Sequence, residues 1–302
     1  MKNWNKRILS IALTLALVAG LSVCAAAAGA PKLPKTLDAA WLKNKPSNQF
    51  DPDLALVCAY ANEKRGDFEK DYFKLLYRDE PAREFFGLQT VHIGHVTKGG
   101  ETLVVLRLGT TTEQWGTVIM GYMVPWWYNV GYEAFANKAW TELEVYLSVI
   151  GADAAKTKLL ITGHSAGGAA ANIIGERLAK NSIAGQAFSA KNVYIYTFET
   201  PPLYSAWLCW FSFFVQEEQY SNIINLINTV DPTAQLLPGE RFGQSLYFTC
   251  TQPGGQHAHA MNYEDYKAGI AQAKPMERPR VWPFGWFTKD FWLGWGSLMG
   301  LV

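Results

Sequence analysis

Cysteine is scarce in this chain, with four in 302 residues. Removal of a leader containing Cys24 would leave Cys58, Cys209 and Cys250, which allow at most one internal disulfide and leave a thiol over. No disulfide scaffold is indicated. Histidine is nearly as rare, with five residues. Neither residue type shows the paired spacing of a metal site, and no phosphate-cradling glycine loop is evident, so no metal and no organic cofactor is expected. The net charge is +1, which argues against nucleic acid as a partner. Repeats and low-complexity linkers are absent too, and the length suits one large α/β domain able to bury a core.

The leading apolar stretch, Ile8 to Val23, is short for a membrane span. Lys2, Lys6 and Arg7 precede it, and Cys24-Ala25-Ala26-Ala27-Ala28-Gly29-Ala30 follows. These are the charged, apolar and small-residue zones of a secretory signal, so residues 1–28 are expected to be a leader and 29–302 the mature secreted chain. Leu21-Ser22-Val23-Cys24 also resembles a bacterial lipoprotein box with Val at an unfavourable position. Anchoring through Cys24 is the alternative.

The most informative segment is Leu159-Leu160-Ile161-Thr162-Gly163-His164-Ser165-Ala166-Gly167-Gly168-Ala169-Ala170-Ala171. Lys158 to Thr162 has the character of a buried parallel strand, and Ala169 to Leu178 continues as an Ala-rich helix with Ile173, Ile174 and Leu178 at helical spacing. Between them, Gly-x-Ser-x-Gly reads as a nucleophile elbow. Such a turn strains Ser165 and needs glycine at 163 and 167, because a Cβ there would strike neighbouring backbone.

A nucleophilic serine needs a base, and the base an orienting acid, in the order Ser, acid, His. One aspartate lies between Ser165 and the last histidines: Asp231, at the end of the apolar run Ile223 to Val230 and before Pro232. That is the carboxyl edge of a parallel sheet, where α/β sites are assembled. Glu199, Glu217, Glu218 and Glu240 compete. Glu199 is the most serious rival because it follows the strand Val193 to Phe198, whereas Glu217 and Glu218 read as a solvated pair. His92, His95 and His164 precede the nucleophile, which leaves His257 or His259 as base. His259, before a helix-like Ala260 to Tyr266, is preferred over His257 in its Pro253-Gly254-Gly255 loop.

Beyond an N-terminal strap rich in Pro and Lys, helices are expected near Asp53 to Glu63, Phe68 to Leu76 and Tyr132 to Val149. Strands are expected near Gln89 to Val96, Leu103 to Leu108, Val193 to Phe198, Ile223 to Val230 and Ser245 to Thr249. Alternation of strand and helix implies an α/β fold with a largely parallel central sheet covered by helices on both faces.

These landmarks resemble the class 3 lipases, a family of fungal triacylglycerol lipases and bacterial relatives within the α/β-hydrolases. Leu103 to Thr110 is similar to the family's oxyanion strand ending in Arg-Gly-Thr, with Trp115 beyond it, and Val130-Gly131-Tyr132 to the opening of its next helix. Tyr196-Thr197-Phe198 with Pro201, Asn228 to Asp231-Pro232 with Leu237-Pro238, and His259-Ala260-Met261 with Tyr266 complete the match over about residues 50 to 270. Leu108 stands where the family has arginine, with Arg107 adjacent. Ala166 replaces a leucine. The family's Gly-Ser-Pro-Arg run is here Glu199-Thr200-Pro201-Pro202, followed by an unusual block from Leu203 to Val215.

The resemblance implies a serine ester hydrolase with Ser165, Asp231 and His259 as triad and the backbone N–H groups of Thr110 and Ala166 as oxyanion hole. The Thr110 hydroxyl is implied as a further donor. A lipid acyl ester is the implied substrate, with a non-lipid carboxylesterase and a catalytically silent surface-binding protein as alternatives. Thr111 to Tyr128, with Trp126 and Trp127, occupies the place of the family's lid, and Trp207 to Val215 walls an acyl pocket or forms a buried helix. The tail 281–302, rich in tryptophan, is a poor membrane span and either attaches peripherally to a lipid interface or packs as a strap.

Overall fold

A computed structural model of the chain describes residues 30–75, 77–79, 89–110, 128–203, 220–231, 241–249 and 263–275. The proposed leader, most of the lid segment, the block 207–215, the tail 281–302, Cys24, Cys209, Cys250, His257 and His259 lie outside the described residues.

Eight strands form one sheet in sequential order: β1 (Tyr77–Asp79), β2 (Gln89–Lys98), β3 (Glu101–Thr110), β4 (Thr157–His164), β5 (Val193–Phe198), β6 (Ile223–Asn228), β7 (Gln244–Phe248) and β8 (Lys274–Pro275). The five strands β3 to β7 run parallel, and the pairs at both edges are antiparallel. The α-helices among the described residues are α1 (Pro52–Glu63), α2 (Arg65–Asp71), α3 (Val130–Val149), α4 (Ala166–Lys180) and α5 (Tyr263–Ile270). A largely parallel sheet covered on both faces is therefore observed, as expected.

Two cores explain the strand sequences. On one face Val104, Leu106, Leu108, Leu159, Ile161, Val193, Ile195 and Ile223 pack beneath α3 and α4. On the other Leu103, Val105, Leu160, Tyr194, Tyr196, Phe198, Ile224 and Leu226 meet α1, α5 and the N-terminal strap. Alternate residues thus serve opposite layers, which is why β4, β5 and β6 read as continuous apolar runs. Helix α1 is buried from Leu54 to Asn62 without interruption. A helix buried all round must be enclosed, and this one lies between the sheet and α5, with Tyr60 and Tyr263 rings 5.3 Å apart.

Local chemistry sets the boundaries. Asp51 caps α1 by accepting from the Leu54 N–H at 2.8 Å, and Pro52 begins the helix. Strands β2 and β3 run further toward each other than their apolar patterns suggest, because Gly99 and Gly100 adopt φ of 62° and 80° and close a two-residue hairpin. Helix α2 does not reach Leu76. It ends at Asp71, and Leu75, beyond the helix, is buried in the core. Strand β6 ends at Asn228 and not Val230, since the Asn228 carboxamide accepts from the Val230 N–H and the Asn228 carbonyl from the Asp231 N–H, which turns the backbone.

The strap is held by hydroxyls that emerge past the core. Tyr194 donates to the Leu42 and Lys45 carbonyls at 3.2 and 2.9 Å, and Tyr196 donates to the Gln49 carbonyl at 3.3 Å and accepts from the Asp51 N–H at 2.9 Å.

Candidate active site

Ser165 lies between β4 and α4 with φ 56° and ψ −126°. A non-glycine residue in that region costs about 1–2 kcal/mol, and the surroundings impose it. The Ser165 N–H donates to the Phe198 carbonyl on the neighbouring strand at 2.9 Å, while the Ser165 carbonyl accepts from Ala169 and starts the helix. A Cβ on Gly163 would collide with the Gly167 backbone, and one on Gly167 with the Leu108 carbonyl. Strand, turn and helix therefore touch through bare backbone. Helix α4 presents its first unpaired N–H groups and its positive dipole end beside Ser165, beginning with the buried Ala166. Leu108 pairs with Gly163, so Thr110, at the end of β3, lies at the same edge.

Glu199 and Asp231 occupy that edge too. His164 pairs with Phe198, which sets Ser165 and Glu199 in adjoining rows, and Glu199 repeats the unusual backbone with φ 49°. Both acids are fully buried. The two Glu199 carboxyl oxygens lie 3.1 and 2.9 Å from the Asn228 N–H, and the Glu199 carboxyl hydrogen-bonds that of Asp231. Burial, then the charge of Asp231, holds the Glu199 carboxyl well above the usual carboxylate range, against a smaller opposing effect of Arg241. Read as alternatives in the sequence, these two acids stand side by side in the fold.

Helix α5 packs near this edge. In α5, the Tyr266 ring lies 4.9 Å from Phe198 and 6.3 Å from His164 between centroids. Tyr263 is four residues beyond position 259, a reach of about 14 Å when extended. His92 and His95 serve elsewhere: His95 Nδ1 meets the Tyr146 hydroxyl at 2.8 Å, and His92 sits between two arginines.

A buried carboxamide network, which the apolar reading of β6 passed over, ties the elbow helix to the acid-bearing strands. Asn172 of α4 donates to the Gly168 carbonyl at 3.2 Å and to Asn225 Oδ1 of β6 at 2.8 Å, and accepts from the Phe242 N–H at 3.1 Å. Thr197 also donates to Asn225 Oδ1 at 2.8 Å, while Asn225 Nδ2 donates to the Phe242 and Gln244 carbonyls at 2.8 and 3.3 Å. Asn225→Leu strands these partners without water. It is expected to cost about 3 kcal/mol, read as a lower denaturant midpoint with an unchanged slope.

The opposite face holds a charge cluster. Arg107 points toward α1, away from the layer in which Leu108 is buried. It lies 2.9 Å from His92 Nδ1 and donates to the Asn62 carbonyl at 3.1 Å, and Arg65 approaches His92 Nε2 at 2.8 Å. Burial, with Arg65 adding, lowers Arg107 to about 10, and burial raises Glu63 to about 7 against the attraction of Arg107. Among the described residues, no cluster of three His, Cys, Asp or Glu is placed to hold a metal ion.

Residues 106–239 match the family Lipase (class 3), somewhat under half of the chain. No curated protein sequence matches the chain. Among solved structures, the chain is similar to a lipase from Rhizopus microsporus var. chinensis at 16% identity, covering 75% of this chain and 85% of that one with a TM-score of 0.43. It is similar to the Rhizomucor miehei triacylglyceride lipase at 13% identity, covering 66% and 78% with a TM-score of 0.44. For a triacylglycerol lipase from Penicillium expansum the values are 17% identity, 66% and 79% coverage and a TM-score of 0.40. The described residues form a mostly parallel sheet in which a strand, a tight turn at Ser165 and a helix follow one another.

Proposed function

Taking the chain as a class 3 lipase in sequence and α/β-hydrolase-like in fold, we propose that it is a secreted serine hydrolase cleaving acyl esters of lipids. The observation that carries this reading is the backbone of Ser165, held at φ 56° where a parallel strand meets a helix N-terminus. That conformation presents the hydroxyl to a substrate carbonyl.

In the proposed reaction His259 takes the Ser165 proton as Oγ attacks the ester carbonyl, and Asp231 fixes the imidazole and balances its cationic form. The tetrahedral oxyanion is received by the N–H groups of Thr110 and Ala166, each worth about 3–4 kcal/mol. Collapse expels the alcohol, which takes the proton from the imidazolium. Water, deprotonated in turn by His259, then releases the fatty acid from Ser165.

Family membership implies an ester of lipid type as substrate. The finer reading, a triacylglycerol or related lipid attacked at an interface, draws on Trp126, Trp127 and the tryptophan-rich composition of the tail 281–302. The reading of residues 1–28 as a cleaved leader puts the reaction outside the cytoplasm. Two measurements test the proposal. A fluorophosphonate should label Ser165, identified by peptide mapping. Rates on a long-chain triglyceride should rise steeply as it passes its solubility limit, because an emulsified surface compensates the exposure of apolar side chains. Labelling together with a smooth saturation curve and preference for dissolved short-chain esters would assign a non-lipid carboxylesterase instead.

A further inference from the structure

We infer that Glu199 is a positioning residue held as a neutral carboxylic acid, donating its O–H to the Asp231 carboxylate while its other oxygen accepts the Asn228 N–H. The inference rests on the reading of Asp231 as the acid that orients the base.

Three observations carry it. First, the two carboxyls hydrogen-bond each other where neither has access to water. Two touching anions in such surroundings cannot both persist, and the pair retains one proton between them. Second, the cation beside Glu199 offsets only part of what burial and Asp231 impose on it. Arg241, itself 4% exposed, donates through Nε to the Thr200 carbonyl, and its attraction lowers Glu199 less than burial and Asp231 raise it. From α5, burial first, then the charges of Glu199, Glu63, Asp231 and Asp265, holds the Tyr266 phenol neutral, well above its ordinary range. With Asp231 read as the acid that faces the base, the retained proton belongs to Glu199, the carboxyl whose charged form burial and Asp231 disfavour. Third, Glu199 adopts φ 49°, a conformation a glycine would take freely. The strain is tolerated where the side chain returns something, and here it spans from the end of β5 to both Asn228 and Asp231.

The chemistry follows from the donor. Asp231 has its carboxylate fixed from one side by a hydrogen bond, which holds the other oxygen in one direction for the base. The donor also withdraws charge, so the imidazolium is stabilised less than a lone buried carboxylate would stabilise it. A proton on a buried acid thus tunes a neighbouring one.

Glu199→Gln and Glu199→Gly separate the possibilities. The glutamine amide can donate to Asp231 and accept from Asn228, as the acid does. The glycine removes both contacts yet suits the backbone, so it is compatible with folding. On a dissolved short-chain ester, Glu199→Gly is expected to lower kcat by about 10- to 100-fold with KM little changed, and Glu199→Gln to recover most of that loss.

Stability supplies a readout independent of catalysis. The folded wild type keeps a proton that unfolded Glu releases above about pH 4.3. Its stabilising contribution is complete below that value and is lost as pH rises toward the elevated folded value. The melting temperature of the wild type should therefore fall relative to Glu199→Gln as the pH is raised above about 5. A Glu199→Gln enzyme as impaired as Glu199→Gly, or a stability gap that does not vary with pH, overturns the inference. So does full kcat in both variants. Failure of fluorophosphonate to label the wild type overturns the hydrolase reading and the positioning role with it, whereas the pH-dependent gap still reports whether the Glu199 proton exists.

Discussion

Ser165→Ala is expected to lower kcat for ester hydrolysis by about 10⁶-fold, the scale set by removing the nucleophile from a serine triad. The fold should be untouched. The hydroxyl is a small half-buried group, whereas the turn depends on Gly163, Gly167 and the backbone bond from Ser165 to Phe198, all of which remain. Alanine at φ 56° carries the same Cβ and the same strain as serine. Activity and fluorophosphonate labelling should vanish together while the melting temperature stays within about one degree of wild type. Near wild-type turnover in this variant would remove Ser165 from the chemistry.

The second large effect is expected at Asp231→Asn, about 10⁴-fold in kcat. A carboxamide in place of the carboxylate offers an N–H where the imidazole needs an acceptor, so the base is held in the wrong tautomer. Asp231 is fully buried and already hydrogen-bonded to Glu199, so asparagine of equal size keeps the packing and the loss should fall on kcat with KM nearly constant. Steady-state kinetics on a dissolved ester measures it. If Asp231→Asn is mild and Glu199→Gln devastating, the orienting acid is Glu199.

The elbow was legible because glycine spacing is a local consequence of close backbone approach, and both collisions expected at Gly163 and Gly167 occur. Strand β5 was legible to the residue, since six consecutive buried side chains leave no ambiguity of period. The edge strands were not. Tyr77–Asp79 and Lys274–Pro275 are too short to carry a pattern. Nor was the pairing of Glu199 with Asp231 readable, because each follows its own strand and only the register between β5 and β6 brings them together. The side chains of Asn172, Thr197 and Asn225 beneath the elbow were hidden for a different reason. Asn225 and Thr197 sit inside apolar runs, and polarity that is fully satisfied within a core leaves no trace in periodicity.

The tyrosine clamp on the N-terminal strap bears on the order in which the chain can fold. Tyr194 and Tyr196 grip residues that lie 145 to 152 positions earlier, and α1 is enclosed by β3, β4 and β5 together with α5, all of which follow it in the chain. During synthesis, the nine-residue buried stretch from Leu54 to Asn62 therefore reaches full enclosure only after β5 and α5 have emerged. Such long-range closure slows folding and lengthens the time in which the nascent chain is open to misassembly or to capture by chaperones.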